Sequence, residues 1–273
     1  MAVNLSMVAP TRMALPPRIL VHGGPKVGKS TFFAGAPAPI FIQTEDGLGG
    51  IDTAAFPLAT HYNQVVEALN SLITEEHDFQ TVVLDSADWL EKLIWEQICD
   101  DEKVTCIEKA CGGYGKGFAE ANVYWRQILR LLERLRNERS MIIGIVCHSK
   151  IISISEPHAE SYDKYRLKLH SPKSGNGAAD ALYEWHDILG FAAHDVFITA
   201  SNDGRASKAA AAGTRSLYLG QHPAFETGNR YNLPDKIPLS WAAFDAEMRK
   251  SVEAHRRNKP AANDPEYSPK KGA

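Results

Sequence analysis

The chain has 273 residues, of which 44% are hydrophobic and 23% charged, so it is long enough to bury the core of one large α/β domain or two small ones. Its formal net charge of −3 excludes a basic field over the whole molecule, so any surface that binds nucleic acid has to be a local patch. No apolar run approaches the roughly 18 to 20 residues of a membrane-spanning helix, and no charged and apolar leader opens the chain, so we expect a cytoplasmic location and no membrane partner.

The predicted elements follow an N-terminal arm, residues 1–17, which ends in two prolines. A buried strand, RILVHG, leads into a glycine-rich turn, and a helix begins near Gly28 and runs through KSTFFAG. Apolar runs predict further strands at PIFIQTE, FQTVVLDS and MIIGIVCH. Helical spacing predicts helices at YNQVVEALNSLI, ADWLEKLIWEQICDD and AEANVYWRQILRLLERLRNERS.

Periodicity fades over residues 150–186, a polar and partly basic segment, and strand-like runs follow at ILGFAA, DVFITA and RSLYLG. Residues 249–273 predict a basic, weakly ordered tail. The alternation of strands and helices predicts a three-layer α/β domain over residues 18–248, with a mainly parallel central sheet flanked by helices. Ligands of such sheets bind at the carboxyl ends of the strands.

The four cysteines are Cys99, Cys106, Cys111 and Cys147. Their spacing lacks the paired C-x-x-C of zinc sites, and four cysteines in a chain of this length make no disulfide framework. The pattern predicts reduced, structural thiols.

A phosphate-binding loop is indicated by the pattern G-x-x-x-x-G-K-[ST] between a predicted strand and a predicted helix. The glycines allow backbone N–H groups to turn toward phosphate oxygens, Lys29 would contact the β- and γ-phosphates, and Ser30 would ligate Mg²⁺. Lys26 could add a second positive charge or be an ordinary solvated lysine. The predicted nucleotide-binding residues are Gly23, Gly24, Pro25, Lys26, Val27, Gly28, Lys29, Ser30 and Thr31.

Three polar residues end the other predicted strands. Asp85 ends the buried run TVVLD, where a carboxylate is costly unless it serves an ion, so it is predicted to support Mg²⁺. Ser86 follows it where many ATPase motors carry their catalytic glutamate, so the base is sought elsewhere. Glu45 is the candidate that would orient the attacking water, with Asp46 and Asp88 as rivals.

His148 ends the predicted strand MIIGIVCH on the same rim. A polar side chain there can hydrogen-bond the γ-phosphate and report its loss to the segment that follows. The alternative is a histidine that is satisfied by a neighbouring loop.

Together, GGPKVGKST, FIQTEDG, TVVLDSADWL and IIGIVCHSK resemble the RecA-like ATPase core in order and spacing. They are most similar to the phage-encoded nucleotide-binding AAA-type family that includes RecA-core single-strand annealing proteins. GGYGKGFAEA, KYRLKLHSPK, LYEWHDILGF and ETGNRYNLPDKIPL add to the resemblance, which spans about residues 18 to 240. RecA itself carries glutamine where His148 stands, and its separate C-terminal domain has no counterpart in the short tail of residues 249–273.

The resemblance implies an ATPase in which Gly28, Lys29, Ser30 and Thr31 bind ATP, Asp85 supports Mg²⁺, Glu45 activates water and His148 senses the γ-phosphate. It also implies that the interval after His148 contacts single-stranded DNA through lysine, arginine and tyrosine side chains, although a solvated surface loop is the alternative. The residues concerned are Lys150, Tyr162, Lys164, Tyr165, Arg166, Lys168, His170 and Lys173.

If the protein assembles into a homo-oligomer, we expect an arginine or lysine finger from one subunit to act on the nucleotide site of its neighbour. Arg230 is the candidate, with Lys150 and Arg215 behind it, and a single-strand binding protein is a candidate partner. The sequence therefore favours a Mg²⁺-dependent ATPase that acts on single-stranded DNA in phage recombination, by annealing or strand pairing. The alternative is an ATP-dependent regulatory or helicase-loading switch that binds a protein partner. A small-molecule kinase is disfavoured because no arginine-rich lid is apparent in the sequence. A GTPase is disfavoured because no N-K-x-D or T-K-x-D motif follows the later strands.

Overall fold

The computed structural model describes residue 4 and residues 15–155, 160–199 and 208–257. The strands in these ranges are β1 (Arg18–Gly23), β2 (Pro39–Gln43), β3 (Ala54–Ala55), β4 (Thr81–Asp85), β5 (Ile142–Ile154), β6 (Tyr162–Leu167), β7 (Ile188–Thr199), β8 (Lys208–Tyr218), β9 (Gly228–Asn229) and β10 (Lys236–Pro238). The helices are α1 (Lys29–Ala34), α2 (Tyr62–Thr74), α3 (Ala87–Glu102), α4 (Lys116–Glu138), α5 (Ala178–Trp185) and α6 (Trp241–Arg257), and a 3-10 segment spans Ile107–Gly112.

The central sheet has the strand order β10-β8-β7-β1-β5-β4-β2-β3, with β6 paired to β5 and β9 paired to β7. Strands β7, β1, β5, β4, β2 and β3 run parallel, whereas β8 and β10 form an antiparallel edge. β1, which leads into the phosphate loop, lies in the middle between β5 and β7. Its apolar run suits this position because a central parallel strand is buried on both faces.

Helices cover both faces of the sheet. On one face α2, α3, α4 and α5 pack around Leu20 of β1, and on the other α1 and α6 pack around Ile19 and Val21. The alternation of neighbouring side chains between the two cores follows from the two-residue period of a strand. The predicted three-layer α/β fold, with a mainly parallel central sheet flanked by helices, is confirmed.

β5 is longer than predicted. Its parallel pairing with β1 ends at His148 opposite Gly23, but the strand continues to Ile154 and pairs antiparallel with β6. The prediction that His148 closes this strand was therefore wrong, and the segment expected to be polar and irregular starts with a β-hairpin. Exposed and partly buried residues alternate from Ile151 to Ile154 and from Tyr162 to Arg166, as expected for strands with one solvated face.

Helix α6 runs through Arg257, so the boundary predicted at residue 248 falls inside a helix. Met248 packs against the same core as Phe244, which explains why the helix continues past that position. The predicted arm at residues 1–17 and the last residues of the predicted tail lie mostly outside the described ranges. None of the described helices is both long and apolar enough to cross a membrane.

Candidate nucleotide-binding site

The candidate site is a cleft of about 340 Å³ at the carboxyl ends of the central parallel strands. The phosphate loop forms one wall, and the ends of β2, β4 and β5 form the other. The lining residues are Pro25, Lys26, Gly28, Lys29, Ser30, Thr31, Glu45, Asp46, Gly47, Ile51, Asp85, Val146, His148 and Arg215. The structure therefore brings the predicted phosphate-loop residues together with Glu45, Asp85 and His148.

Two glycines of the loop are required by its geometry. A Cβ atom on Gly23 would overlap the backbone carbonyl oxygen of Ala192 on the neighbouring strand. Gly28 has φ +104°, a conformation that L side chains rarely adopt, and helix α1 begins at the next residue. The loop thus turns sharply enough for the N-terminus of α1 to point into the cleft.

Lys29 is folded back into the loop. Its ammonium group donates hydrogen bonds to the carbonyl oxygens of Gly23 at 3.2 Å and Gly24 at 2.8 Å, and the side chain is almost fully buried. Burial lowers the pKa of Lys29, although the charge of Asp85 acts in the opposite direction. A buried ammonium group with only neutral oxygens as hydrogen-bond acceptors is well placed to exchange them for the oxygens of an anionic ligand.

Ser30 and Asp85 place two oxygen atoms side by side. The Ser30 hydroxyl donates to Asp85 Oδ2 at 2.5 Å, and Asp85 is buried at the end of β4. Burial raises the pKa of Asp85, while the Ser30 hydrogen bond and the charge of Lys29 oppose that shift. A hydroxyl and a carboxylate are the hard oxygen ligands that Mg²⁺ prefers, so these residues fit the ion that the sequence predicts.

Glu45 lies at the end of β2 in a position fixed by its neighbours. Thr44 accepts a hydrogen bond from the Ser86 backbone N–H at 2.9 Å and donates one to the Ser86 carbonyl oxygen at 2.7 Å, which ties the ends of β2 and β4 together. The Ser86 hydroxyl then donates to Glu45 Oε2 at 3.3 Å. Ser86, which stands in place of a glutamate, therefore orients the carboxylate on the adjacent strand.

His148 is held by Asp88, which sequence reasoning treated only as a rival base. The backbone N–H of His148 donates to Asp88 at 3.0 Å, and its ring Nδ1 lies 3.1 Å from both carboxylate oxygens. Burial by itself would raise the pKa of Asp88, but the hydrogen bonds and charge of His148 outweigh it and the pKa is lowered. The same Nδ1 is 3.7 Å from Glu45 Oε2, so His148 bridges the candidate base and α3.

Arg215 also lines the cleft. The sequence predicted it only as a residue that could act on a neighbouring subunit. It lies on the antiparallel strand β8, is exposed, and donates from Nη1 to the Val27 carbonyl oxygen at 3.3 Å. Sequence reasoning ranked it behind Arg230 as a residue that acts between subunits. The pairing of β8 beside β7 carries Arg215 over the loop, and no local pattern in the sequence signals that pairing.

Arg230 lies at the opposite rim of the sheet. Its Nη1 is 3.2 Å from Asp187 Oδ1, its Nη2 donates to the Glu184 carbonyl oxygen, and the side chain is 61% exposed. Within one subunit it is therefore remote from the phosphate loop, and its predicted role between subunits stays a prediction.

The predicted DNA-contacting residues gather on the β5–β6 hairpin and the segment after it, but several are engaged within the chain. Lys150 donates to the Leu169 carbonyl oxygen at 2.5 Å, and Arg166 forms an ion pair with the largely buried Glu226. Tyr165 is 39% exposed, and the Lys168 side chain is 53% exposed although its Nζ lies 4.0 Å from Asp88 Oδ2. Tyr162, Lys164, His170 and Lys173 lie in the same region.

His22, one residue before the loop, is a buried connection that the sequence reasoning missed. Its Nε2 donates to the Glu226 carbonyl oxygen at 2.7 Å, which leaves Nδ1 to accept from the Ser149 hydroxyl at 2.9 Å. Burial lowers its pKa to about 4. The neutral ring ties β1 to the root of the hairpin.

Comparison with known proteins gives the family of this chain. A family model described as an AAA domain matches residues 15–231. A crystal structure of the RadB recombinase is similar at 12% sequence identity over 78% of this chain and 86% of that chain, with a TM-score of 0.41. A comparison with curated proteins finds no match. Because the matched range covers most of the chain and contains the loop, Glu45, Asp85 and His148, the chain belongs to this AAA domain family.

Proposed function

We propose that this protein is a Mg²⁺-dependent ATPase that acts on single-stranded DNA in phage recombination, by annealing or strand pairing, in the cytoplasm of the host cell. One observation carries the proposal. His148 contacts the candidate base Glu45 in the cleft, and it is also the residue at which β5 leaves the parallel sheet and becomes the hairpin. A single side chain therefore lies between the nucleotide site and the proposed DNA surface.

The phosphate loop and Lys29 bind the phosphates of ATP. The backbone N–H groups at the start of α1 and the ammonium group of Lys29 supply the positive ends that phosphate oxygens require. Ser30 and Asp85 would hold Mg²⁺, which neutralises the charge that develops on the phosphates. Arg215, at the mouth of the same cleft, adds a positive charge from within the subunit.

Glu45 orients a water molecule for attack on the γ-phosphate and accepts its proton, so that inorganic phosphate and ADP are the products. The hydrogen bond from Ser86 and the nearby imidazole of His148 fix the carboxylate in one orientation. Such positioning is the main contribution that a protein makes to phosphoryl transfer.

His148 reports the state of the γ-phosphate to the hairpin. Asp88 of α3 holds both its backbone and its ring, so a movement of the ring also moves the start of the hairpin strand. Exchange between two arrangements of a segment under the control of a γ-phosphate is an established type of switch. In the ATP-bound form the hairpin would present Lys164, Tyr165 and Lys168 to DNA.

A second candidate function is an ATP-dependent regulatory or helicase-loading switch that binds a protein partner. The observation in its favour is that Lys150 and Arg166 are already engaged within the chain, while the apolar Ile151 on the hairpin is 57% exposed. An exposed apolar side chain suits a protein partner better than a phosphate backbone.

The rate of ATP hydrolysis with and without single-stranded DNA, over a series of salt concentrations, tests the proposal. We expect stimulation by DNA, together with binding that weakens as salt rises because the lysines release counterions from the phosphates. Lys168→Ala should flatten the salt dependence, whereas Lys250→Ala, an exposed lysine on α6, should not. No stimulation and no salt-sensitive binding by the wild type would contradict the DNA proposal and favour the protein switch.

A further inference from the structure

Three aromatic rings form a column beside the hairpin. Phe191 of β7 and Phe225 are buried and stack with centroids 4.6 Å apart and planes 17° apart. The His222 ring stacks on Phe225 from the side opposite Phe191, with ring centroids 4.0 Å apart and an interplanar angle of 3°. His222 is exposed, so the column ends at the surface in a ring with one solvent-exposed face.

The orientation of the His222 ring is set by the turn that carries it. The Ala224 backbone N–H donates to His222 Nδ1 at 3.1 Å, and residues 222 and 225 are bridged across the turn. The turn is docked on β6 by two backbone hydrogen bonds. The Tyr165 N–H donates to the Ala224 carbonyl oxygen at 2.8 Å, and the Glu226 N–H donates to the Tyr165 carbonyl oxygen at 3.0 Å. The exposed His222 ring is therefore held in a fixed position next to the hairpin.

A cavity of about 380 Å³ adjoins this ring, which is within the range of about 300–1,000 Å³ that is usual for small-ligand sites. Lys164 of the hairpin and Tyr183 of α5 line it together with His222. Tyr183 is 47% exposed, and Glu226, the carboxylate of the cavity, is paired with Arg166. The cavity thus combines the aromatic ring of His222 with the ammonium group of Lys164, and its carboxylate, Glu226, is already paired with Arg166.

In the ranges that the structure describes, no further ring stacks on the outer face of His222. A planar partner could complete the column there, since aromatic groups prefer offset-stacked or edge-to-face contacts with other rings. The nearby Lys164 and the exposed Tyr165 continue the surface onto the hairpin. A cationic track with stacking rings is the usual chemistry of single-strand binding.

We propose that His222 is a stacking platform for one unpaired nucleobase of single-stranded DNA, with Lys164 contacting the adjacent phosphate. The proposal rests on the proposed DNA-binding function and extends it to a turn outside the hairpin. His222 acts in binding and has no role in ATP hydrolysis.

The test uses the full-length protein with ATP analogue and a thymine oligonucleotide that contains one 2-aminopurine and an end-attached fluorophore. Anisotropy of the fluorophore measures overall binding, and quenching of 2-aminopurine measures stacking of a base. His222→Asn keeps an acceptor for the Ala224 N–H but removes the ring, so we expect the affinity to fall about 5- to 150-fold and the quenching to disappear. His222→Phe keeps a ring and should retain both signals.

His255→Asn on α6 is the matched control, because it changes an exposed histidine outside the cavity and should bind as the wild type does. Unchanged thermal melting and unchanged ATP hydrolysis without DNA would show that His222→Asn is folded. If the wild type binds and His222→Asn binds and quenches equally well, the stacking site is wrong while the DNA function stands. If the wild type itself does not bind the oligonucleotide, the proposed function fails and this inference fails with it.

Discussion

Buried aspartates lie at both ends of the parallel sheet, and two of them, Asp187 and Asp85, have opposite kinds of partner. At the amino ends of β1 and β7, Asp187 accepts hydrogen bonds from the Arg18 guanidinium at 2.7 and 3.1 Å and from Arg230 at 3.2 Å, with Arg136 at 3.5 Å. At the carboxyl ends, Asp85 has a serine hydroxyl as its hydrogen-bond partner.

The pKa values reflect this difference. Burial by itself would raise the pKa of Asp187, but the hydrogen bonds and charge of Arg18 outweigh it and the pKa is lowered. Burial raises the pKa of Asp85, because Ser30 and Lys29 compensate only in part. Asp187 is the centre of a satisfied charge network that stabilises the fold, whereas Asp85 keeps binding capacity for a ligand at some cost in stability.

The largest effect is expected for Glu45→Gln at the ligand-binding rim. Loss of the carboxylate removes the proton acceptor, so the ATPase rate should fall about 10²- to 10⁴-fold while nucleotide binding and thermal stability stay near wild type. Single-turnover hydrolysis together with nucleotide-binding measurements would check this. Hydrolysis at the wild-type rate would show that Glu45 is not the base, and Asp46 would be the next residue to test.

The second prediction compares the two aspartates directly. Asp187→Asn leaves three arginines without their shared carboxylate and should lower the free energy of unfolding by about 3–5 kcal/mol near neutral pH. Asp85→Asn removes a charge that burial already disfavours, so it should cost no more than about 1.5 kcal/mol. Denaturant unfolding of both variants checks the contrast, and equal losses would refute the distinction between the rims.

Arg215 and Arg230 offer a third comparison, since one lies in the cleft and the other at the opposite rim. If Arg215 acts within its own subunit, Arg215→Ala should slow hydrolysis about 10- to 150-fold at every protein concentration. Arg230→Ala should slow it only where the protein assembles. A defect of Arg215→Ala that appears only in assembled protein would move that residue to the neighbouring subunit.

The smallest expected effect concerns one buried histidine near each rim. Burial lowers the pKa of both His22 and His186 from the ordinary 6.5 to about 4. The unfolded chain binds more protons between those values, so stability is lost as pH falls from about 6.5 toward 4. His186→Asn should reduce that slope by up to about 1.4 kcal/mol per pH unit, measured by unfolding at several pH values. An unchanged slope would mean that His186 does not titrate in this window.

Much of the site was predictable because its signals are local. The loop pattern lies between a strand and a helix, and Asp85 ends an apolar run, so each could be assigned from a short stretch of sequence. The end of β5 was predicted wrongly because hydrophobicity drops at His148 while the strand continues with one face in solvent. The roles of Glu45 and His148 stay predictions, although the structure places both in the cleft.

The sequence alone determined that a strand, a tight turn and a helix would make a phosphate loop, since these features depend on residues close together in the chain. Tertiary structure alone decided which distant residues join it. Asp88 holds His148 across 60 positions of sequence, and Arg215 reaches the Val27 carbonyl across 188. Such contacts depend on strand order and on the edge pairing of β8, for which hydrophobic periodicity carries no information, because a period gives the face of an element but not its neighbour.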